Sequence, residues 1–300
     1  MKKEEFNVLS VDNYSLSLAL FKAEHPKANI LCIHGMQEYK ERYDEFASFL
    51  QKEGYNVFTT DMRGHGKHAP KLCHIADKGG DKLIIEDYKV IIKHIKENYP
   101  NLPLYLFGHS MGTIISRVLI QTEGKEFDKV ALSGYVNPNP ASGVAVLLGN
   151  IVRSCKGSEK YSKLLTNLAL GSFAKAVKDR KTDLDWLSYN EENVKKYIED
   201  PLCGYPFTNG SFDALFHLLN RMGKVKDYKA VKEDMPILLI SGVDDPCTGG
   251  EKGRASSLKV LNKAGYKNVS AITLDKMRHE ILNEVEKDKV YKDILDFYTK

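Results

Sequence analysis

The stretch that most constrains this chain is Leu104 to Ile115, LYLFGHSMGTII, which sets a serine between two glycines where one apolar run meets another. Leu104, Tyr105, Leu106 and Phe107 read as a buried parallel strand, and Thr113 to Leu119 continues with helical spacing. Ser110 therefore falls on the turn between strand and helix. Such a turn forces the serine backbone into a sparsely populated conformation that only small neighbours tolerate, which gives Gly108 and Gly112 a steric reason to flank it. The turn lifts the hydroxyl clear of the sheet and leaves the Met111 N–H at a helix N-terminus, where it can stabilise an oxyanion. Five residues of this pattern also arise by chance as a glycine turn with a bystander serine; the strand before and the helix after are what raise its weight.

Three hundred residues, 42% of them hydrophobic, suit one large α/β domain or a domain carrying a sizeable insertion. No apolar run reaches the length of a membrane span, and the opening MKKEEFNVLSVDN lacks the apolar segment of a signal peptide, so a cytoplasmic location is expected. Cys32, Cys73, Cys155, Cys203 and Cys247 are scattered without C-x-x-C spacing, which predicts free thiols and neither a disulfide framework nor a zinc site. The net charge of +4 is dispersed in short mixed clusters, which argues against a nucleic-acid surface and leaves weak attraction to anionic lipid open.

Along the chain, residues 6 to 21 predict a hairpin about an Asp12-Asn13 turn, and Asn29 to Ile33 a short buried strand ending at His34-Gly35. In the following HGMQEYKERY, Gly35 permits a sharp turn that frees the Met36 N–H to face a site, with His34 packed beneath. Residues 41 to 52 predict an amphipathic helix with Tyr43, Phe46, Phe49 and Leu50 on one face. YNVFTTDMRGHGKHAP is a strand entering a glycine turn. Its Gly64, Gly66 and Ala69 superficially suit a dinucleotide, but Pro70 follows and no helix pattern begins there, so Asp61 and Arg63 are read as ties for the loop. A helix over 81–98 and a strand at Lys129–Ser133 complete a strand–helix alternation that implies a parallel sheet covered on both faces.

From Pro138 to Lys226 the strand signal vanishes, and helices are expected over Val144–Val152, Leu164–Val177, Glu191–Glu199 and Ser211–Met222. Such an inserted helical cap holds more apolar residues than it needs for itself, among them Leu147, Ile151, Leu165, Leu168, Phe173, Phe212, Leu215 and Leu219. Most are expected to pack the cap onto the sheet and some to line an acyl pocket. The alternation resumes with a strand at Pro236–Ser241, a helix near Glu251–Ala264, a strand at Val269–Leu274 and a closing helix over Glu280–Tyr298.

A serine hydroxyl needs a histidine base and normally a carboxylate to orient it. In elbow-bearing α/β folds the chain order is serine, acid, histidine. After Ser110 only His217 and His279 remain, and His217 sits in the apolar helix FDALFHLL, so His279 is the candidate base. ILLISGVDDP supplies the acid just past a strand; spacing alone leaves Asp244 and Asp245 nearly even, with Pro246 helping to set the loop. HEILN at residues 279–283 starts like a zinc-protease motif, but Asn283 stands at the second ligand position and no metal is expected.

With HGMQEYKERY, DMRGHG, GHSMG, SGVDDP and RHEILNE in that order, the chain resembles the α/β-hydrolase superfamily, within it the monoacylglycerol lipase, lysophospholipase and serine aminopeptidase-like group. The resemblance implies a mostly parallel α/β-hydrolase sheet flanked by helices, with core segments 1–137 and 227–300 and a helical cap over 138–226. It implies Ser110 as nucleophile, Asp245 as acid, His279 as base, and Met36 and Met111 as oxyanion donors. Tyr39 stands where many members carry His, and Lys276 replaces a usual glycine.

The expected activity is a cofactor-independent serine carboxylester hydrolase acting through an acyl-enzyme on a lipid-like monoester, a monoacylglycerol or lysophospholipid. Its expected partners are a small ester or lipid substrate and no nucleic acid, with transient membrane-surface contact through the cap left open. Two other readings stand beside it. An aminopeptidase would use cap carboxylates such as Glu191, Glu192 or Asp213 to bind an α-amino group, and a non-catalytic protein would use the pocket as a receptor.

Overall fold

The structure is a computed structural model that describes residues 3–300. An antiparallel hairpin of β1 (Lys3–Leu9) and β2 (Ser15–Phe21) opens the fold, and Asn13 takes the left-handed conformation its turn requires. Six further strands complete a single sheet: β3 (Ala28–Ile33), β4 (Tyr55–Thr60), β5 (Leu104–His109), β6 (Lys129–Ser133), β7 (Ile237–Gly242) and β8 (Val269–Leu274). Their order is β1-β2-β4-β3-β5-β6-β7-β8, antiparallel up to the β2–β4 pair and parallel from β4 onward. The chain leaves the centre at β3 for β4 and returns to β5, so the order reverses there. In open α/β sheets the crevice beyond the carboxyl ends of strands at such a switch point is where ligands bind. Gly35 and Ser110 lie just past the ends of β3 and β5.

Alternation along the strands divides the interior in two. On β7, Leu238 and Ile240 face the core shared with α1 (Asp44–Lys52) and α9 (Lys287–Thr299), alongside Phe46, Phe107 and Tyr298. Ile237 and Leu239 face the opposite core, covered by α2 (Gly80–Asn98), α3 (Met111–Glu123) and α8 (Gly250–Ala264). Truncating a central side chain such as Phe107 to alanine removes a fully buried ring and costs about 3–5 kcal/mol.

Between β6 and β7, within the span read as an insertion, lie α4 (Ser142–Lys156), α5 (Lys163–Leu170), α6 (Glu191–Glu199) and α7 (Asn209–Met222). Asn190 and Thr208 cap α6 and α7 by accepting the N–H groups of Asn193 and Ser211. α7 packs against α2, α3 and α4, and its Phe212, Leu215 and Phe216 join the sheet's larger core together with Leu165 and Phe207. Apolar residues of the helical segment thus pack onto the sheet, while Leu147, Ile151 and Leu168 remain exposed.

Two expected helices are interrupted. The one expected over Leu164–Val177 ends at Leu170, with Gly171 still donating to the Asn167 carbonyl, and only a short 3-10 turn follows at Ala174–Ala176. The closing helix starts at Lys287 rather than Glu280. Glu280 and Glu284 are held by partners outside their own segment, which leaves a 3-10 turn at Ile281–Asn283. Among the described residues no helix is long and apolar enough to cross a membrane, and all five cysteines are free.

Candidate active site

Ser110 joins β5 to α3 with φ 52° and ψ −118°, a conformation costly for any residue bearing a Cβ. Its N–H donates to the Ser133 carbonyl on β6 at 3.0 Å, and its carbonyl accepts the Thr113 N–H at 2.8 Å, so both neighbours hold the strained turn. The flanking glycines are sterically required. A Cβ on Gly108 would meet Ser116 Oγ at 2.5 Å, and one on Gly112 would collide with the Ile33 carbonyl on β3. Met111 is the first residue of α3, so its N–H has no acceptor within the helix. The turn at Gly35 comes so near that a Cβ there would sit 3.0 Å from the Ser110 Cβ, bringing Met36 to the same cavity.

Asp245 and His279 arrive from the ends of β7 and β8. His279 Nδ1 donates to Asp245 Oδ2 at 3.0 Å, while the other carboxylate oxygen accepts the Cys247 N–H at 2.8 Å. Asp244 is exposed and accepts the Tyr189 hydroxyl, so the structure separates the two acids that spacing left even. Burial disfavours the charged imidazole of His279, but the Asp245 charge and hydrogen bond outweigh it and raise its pKa above the usual histidine value. With Nδ1 so engaged, Nε2 is turned to the cavity, 4.0 Å from Cys247 Sγ. Ser110 and His279 line that one cavity, and among the described residues no hydrogen bond joins their side chains. Such contacts commonly tighten only in the substrate complex.

Three other histidines are buried nearby and kept neutral. Burial pushes His34 down to about 4, and His65 and His109 to about 3, with His279 adding to the effect on His109. His34 supports the turn from below: its Nδ1 lies 2.7 Å from the Gly35 carbonyl and its Nε2 accepts the Met62 N–H.

Glu38, Arg42 and Glu280, which lie inside the motifs HGMQEYKERY and RHEILNE, link the two halves of the site. Glu38 Oε1 accepts the Gly35 N–H at 2.5 Å and the Tyr43 hydroxyl at 2.7 Å. Arg42 bridges Glu38 at 2.9 Å to Glu280, the residue after His279, and Asn193 of α6 donates to the same Glu280 carboxylate. Asp61 and Arg63 do tie their loop, but to separate elements: Asp61 accepts from Lys40, and Arg63 pairs with Asp87 and Asp12.

The cavity measures about 420 Å³ and is walled by the helical segment. Leu170, Phe173, Trp186, Leu215 and Leu219 supply apolar surface to the cavity that Ser110 also lines. The Trp186 ring lies 5.0 Å from the His279 ring and 4.9 Å from Phe173. Below it Glu284 accepts the Ser188 hydroxyl and the Tyr189 and Asn190 N–H groups, and Arg278 donates to the Asp185 carbonyl, so the segment around Trp186 is fastened to the histidine loop. Tyr39 makes a further tie through its hydroxyl to Asp200. The other residues considered earlier lie elsewhere: Glu191 and Glu192 are exposed and paired with Lys181 and Lys196, Asp213 is buried against Arg153, and His217 packs beside Asn150. Asp245, Cys247 and His279 bring ligand-type atoms within 4.8 Å of one another, but two of them already bond each other.

A family model for serine aminopeptidase S33 matches residues 24–286. The chain belongs to the serine aminopeptidase S33 family. Among its relatives, a monoglyceride lipase of Rattus norvegicus is 28% identical over 73% of this chain and 66% of its own length, so the chain spans just under two thirds of that protein. A monoacylglycerol lipase of Mycolicibacterium smegmatis is 24% identical over 90% of this chain and 87% of its own. The fold matches a carboxyl esterase of Bacillus coagulans with a TM-score of 0.92, at 23% identity over 100% of this chain and 98% of that one.

Proposed function

We propose that this chain is a serine carboxylester hydrolase that cleaves lipid-like monoesters, monoacylglycerols or lysophospholipids, with Ser110, His279 and Asp245 as its triad. The observation that carries the reading is the strained Ser110 turn facing the His279–Asp245 pair across a predominantly apolar cavity. In this mechanism Ser110 Oγ attacks the ester carbonyl while His279 Nε2 takes its proton, and Asp245 stabilises the imidazolium. The Met36 and Met111 N–H groups hold the developing oxyanion, each worth on the order of a hundredfold or more in rate. His279 then protonates the leaving alcohol, and water repeats the sequence on the acyl-enzyme to release the acid.

In this reading residues 138–226 form a cap over the core segments 1–137 and 227–300, and the cap's apolar wall receives the acyl chain. Val144, Leu147 and Ile151 on α4 and Leu164 and Leu168 on α5 recur at three- and four-residue spacing and are 46–61% exposed, which suits transient contact with a lipid surface. The relatives' names, monoglyceride lipase and in Bacillus subtilis a phospholipase, agree with a glycerolipid monoester. An aminopeptidase needs an unneutralised carboxylate facing the serine. Glu38 and Glu280 line the cavity, but the oxygens of both are already taken up by Arg42 together with the Gly35 N–H and Tyr43 hydroxyl or the Asn193 amide, and Asp183 on its rim pairs with Arg180, which favours the ester reading. A side-by-side assay of a monoacylglycerol and alanine p-nitroanilide tests this: ester hydrolysis with negligible anilide cleavage is expected, and the reverse order overturns it.

A further inference from the structure

The chain holds a single tryptophan, and it lies against the proposed base. The centroid of the Trp186 ring is 5.0 Å from that of His279, with the ring planes 43° apart. Backbone on both sides sets this pairing. Arg278, just before the histidine, donates to the Asp185 and Ser188 carbonyls at 2.7 and 3.3 Å. The N–H of Glu280, just after it, donates to the Leu187 carbonyl at 2.7 Å. Residues flanking one ring therefore bond to residues flanking the other. Behind the indole, Phe173 lies 4.9 Å away, and Leu187, Tyr197 and Cys203 form a small apolar cluster on which Trp186 packs.

What the contact does follows from where charge appears. On taking the Ser110 proton, His279 becomes an imidazolium with only 2% of its surface exposed, so water cannot solvate it. Asp245 answers the Nδ1 edge. The Nε2 edge must stay open to Ser110 and then to the leaving alcohol, and the Cys247 thiol beside it is kept protonated by burial and by the Asp245 charge. Glu280 and Glu38 add attraction, but Arg42 bonds to both. The ring faces are left. His109, its centroid 4.8 Å away, is pushed down to about 3 by burial and stays neutral, so it neither takes the proton nor repels it. Trp186 is the neighbour whose π electrons attract a cation, and indole does so best among the aromatic side chains, within about 6 Å of the ring centroid.

We propose that Trp186 is a positioning residue of the reaction: the helical segment between β6 and β7 delivers its indole to the His279 ring, where it stabilises the imidazolium formed as Ser110 attacks. The step rests on the ester-hydrolase reading, whereas the contact does not. A residue that only lined the cavity could be exchanged for another apolar side chain without altering the base. An electrostatic partner cannot. Because the indole favours the protonated ring over the neutral one, removing it lowers the His279 pKa.

The test compares the parent with Trp186→Leu and Trp186→Phe on p-nitrophenyl acetate, whose short acyl group takes chain packing out of the comparison. In Trp186→Leu the acidic limb of kcat/KM is expected to move down by about 0.5–1 pH unit and kcat at the optimum to fall about three- to tenfold. Trp186→Phe is expected to recover part of both, and it carries the comparison with a smaller shift should Trp186→Leu not fold. The His279 Cε1–H proton resonance, identified by its loss in His279→Gln, reports the same pKa without turnover, and its midpoint is expected to move with the limb. In the parent, the emission of the lone tryptophan is expected to titrate at that midpoint, because an imidazolium in contact quenches indole, and to lose the step in His279→Gln. A folded Trp186→Leu protein whose limb and resonance midpoint match the parent overturns the proposal, as does parent emission that stays flat through the His279 titration. Should the chain cleave no ester, the resonance and the emission still decide whether indole and imidazole are coupled, so failure here and failure of the hydrolase reading are told apart.

Discussion

Arg42 grips Glu280 across 238 residues of chain, through N–H···O contacts of 2.6 and 2.7 Å with both carboxylate oxygens. The same guanidinium holds Glu38, which fixes the Gly35 turn, so one buried cation ties the oxyanion side of the site to the segment carrying His279. Removing one partner of a buried ion pair strands the others. Arg42→Met is expected to cost about 3–5 kcal/mol in urea unfolding. It should also lower kcat more than it raises KM, since the disturbed groups position the chemistry rather than the acyl chain. Unchanged unfolding midpoints and kcat would contradict this.

The histidines predict how the molecule responds to acid. His34, His65 and His109 have folded-state pKa values pushed down to about 4, 3 and 3, so in the window below the ordinary histidine value the unfolded chain binds protons that the folded one refuses. Their neutral burial is fully tolerated above about pH 6.5, and stability falls as pH drops from there toward 4, by up to about 1.4 kcal/mol per pH unit for each histidine. Urea melts at pH 7.5, 6 and 5 measure the slope. A flat profile over that range would show that these side chains are not buried neutral.

His279 moves the opposite way, and the sign matters for activity. Its pKa is raised, so it holds a proton at higher pH than a free histidine and cannot act as a base there. The acidic limb of kcat/KM is therefore expected to have its midpoint above the ordinary value of about 6.5. Asp245→Asn should shift that midpoint down and cut kcat by about 10⁴-fold. Its contribution to stability also reverses: present below the unfolded histidine pKa and lost as pH rises through the folded one.

Lys276 sits in the left-handed region at φ 54°, just before the histidine loop and exposed to solvent. The backbone there suits glycine, the residue expected at this position in related chains. Lys276→Gly is expected to raise stability by up to about 1 kcal/mol in urea melts, with kcat unchanged. A loss of stability would mean that the lysine makes a contact outweighing its strained backbone.

Leu219 on α7 lines the same cavity as Ser110. Leu219→Trp shortens the space available to an acyl chain, so kcat/KM for long-chain esters is expected to fall at least tenfold relative to p-nitrophenyl acetate. Equal losses for both substrates would place the acyl chain elsewhere.

Much of this arrangement was legible in the amino-acid order because local chemistry dictated it. The glycines around Ser110, the apolar run before it and the helix after it each demand one conformation, and Met36, Met111 and His279 reach the cavity as expected. What escaped notice depends on distant partners. Glu280 and Glu284 carry a helix-compatible pattern, yet their hydrogen bonds to Arg42, Asn193, Tyr189 and Asn190 override it. The burial of Arg117 was invisible for a related reason: an arginine on a helix is ordinarily solvated, and only the packing of α3 against its neighbours, β5 and α7 foremost, buries it. Asp244 and Asp245 were indistinguishable by spacing because the difference lies in which carboxylate turns inward.

The catalytic proposal rests on one side chain above all. The most direct measurement is the turnover of a medium-chain p-nitrophenyl ester by Ser110→Ala, with circular dichroism and Tm confirming that the variant is folded. Turnover is expected to fall by about 10⁴-fold or more while Tm holds or rises, since alanine keeps the fold but removes the attacking oxygen. A folded Ser110→Ala protein that keeps its turnover within tenfold of the parent would contradict the assignment of Ser110 as nucleophile.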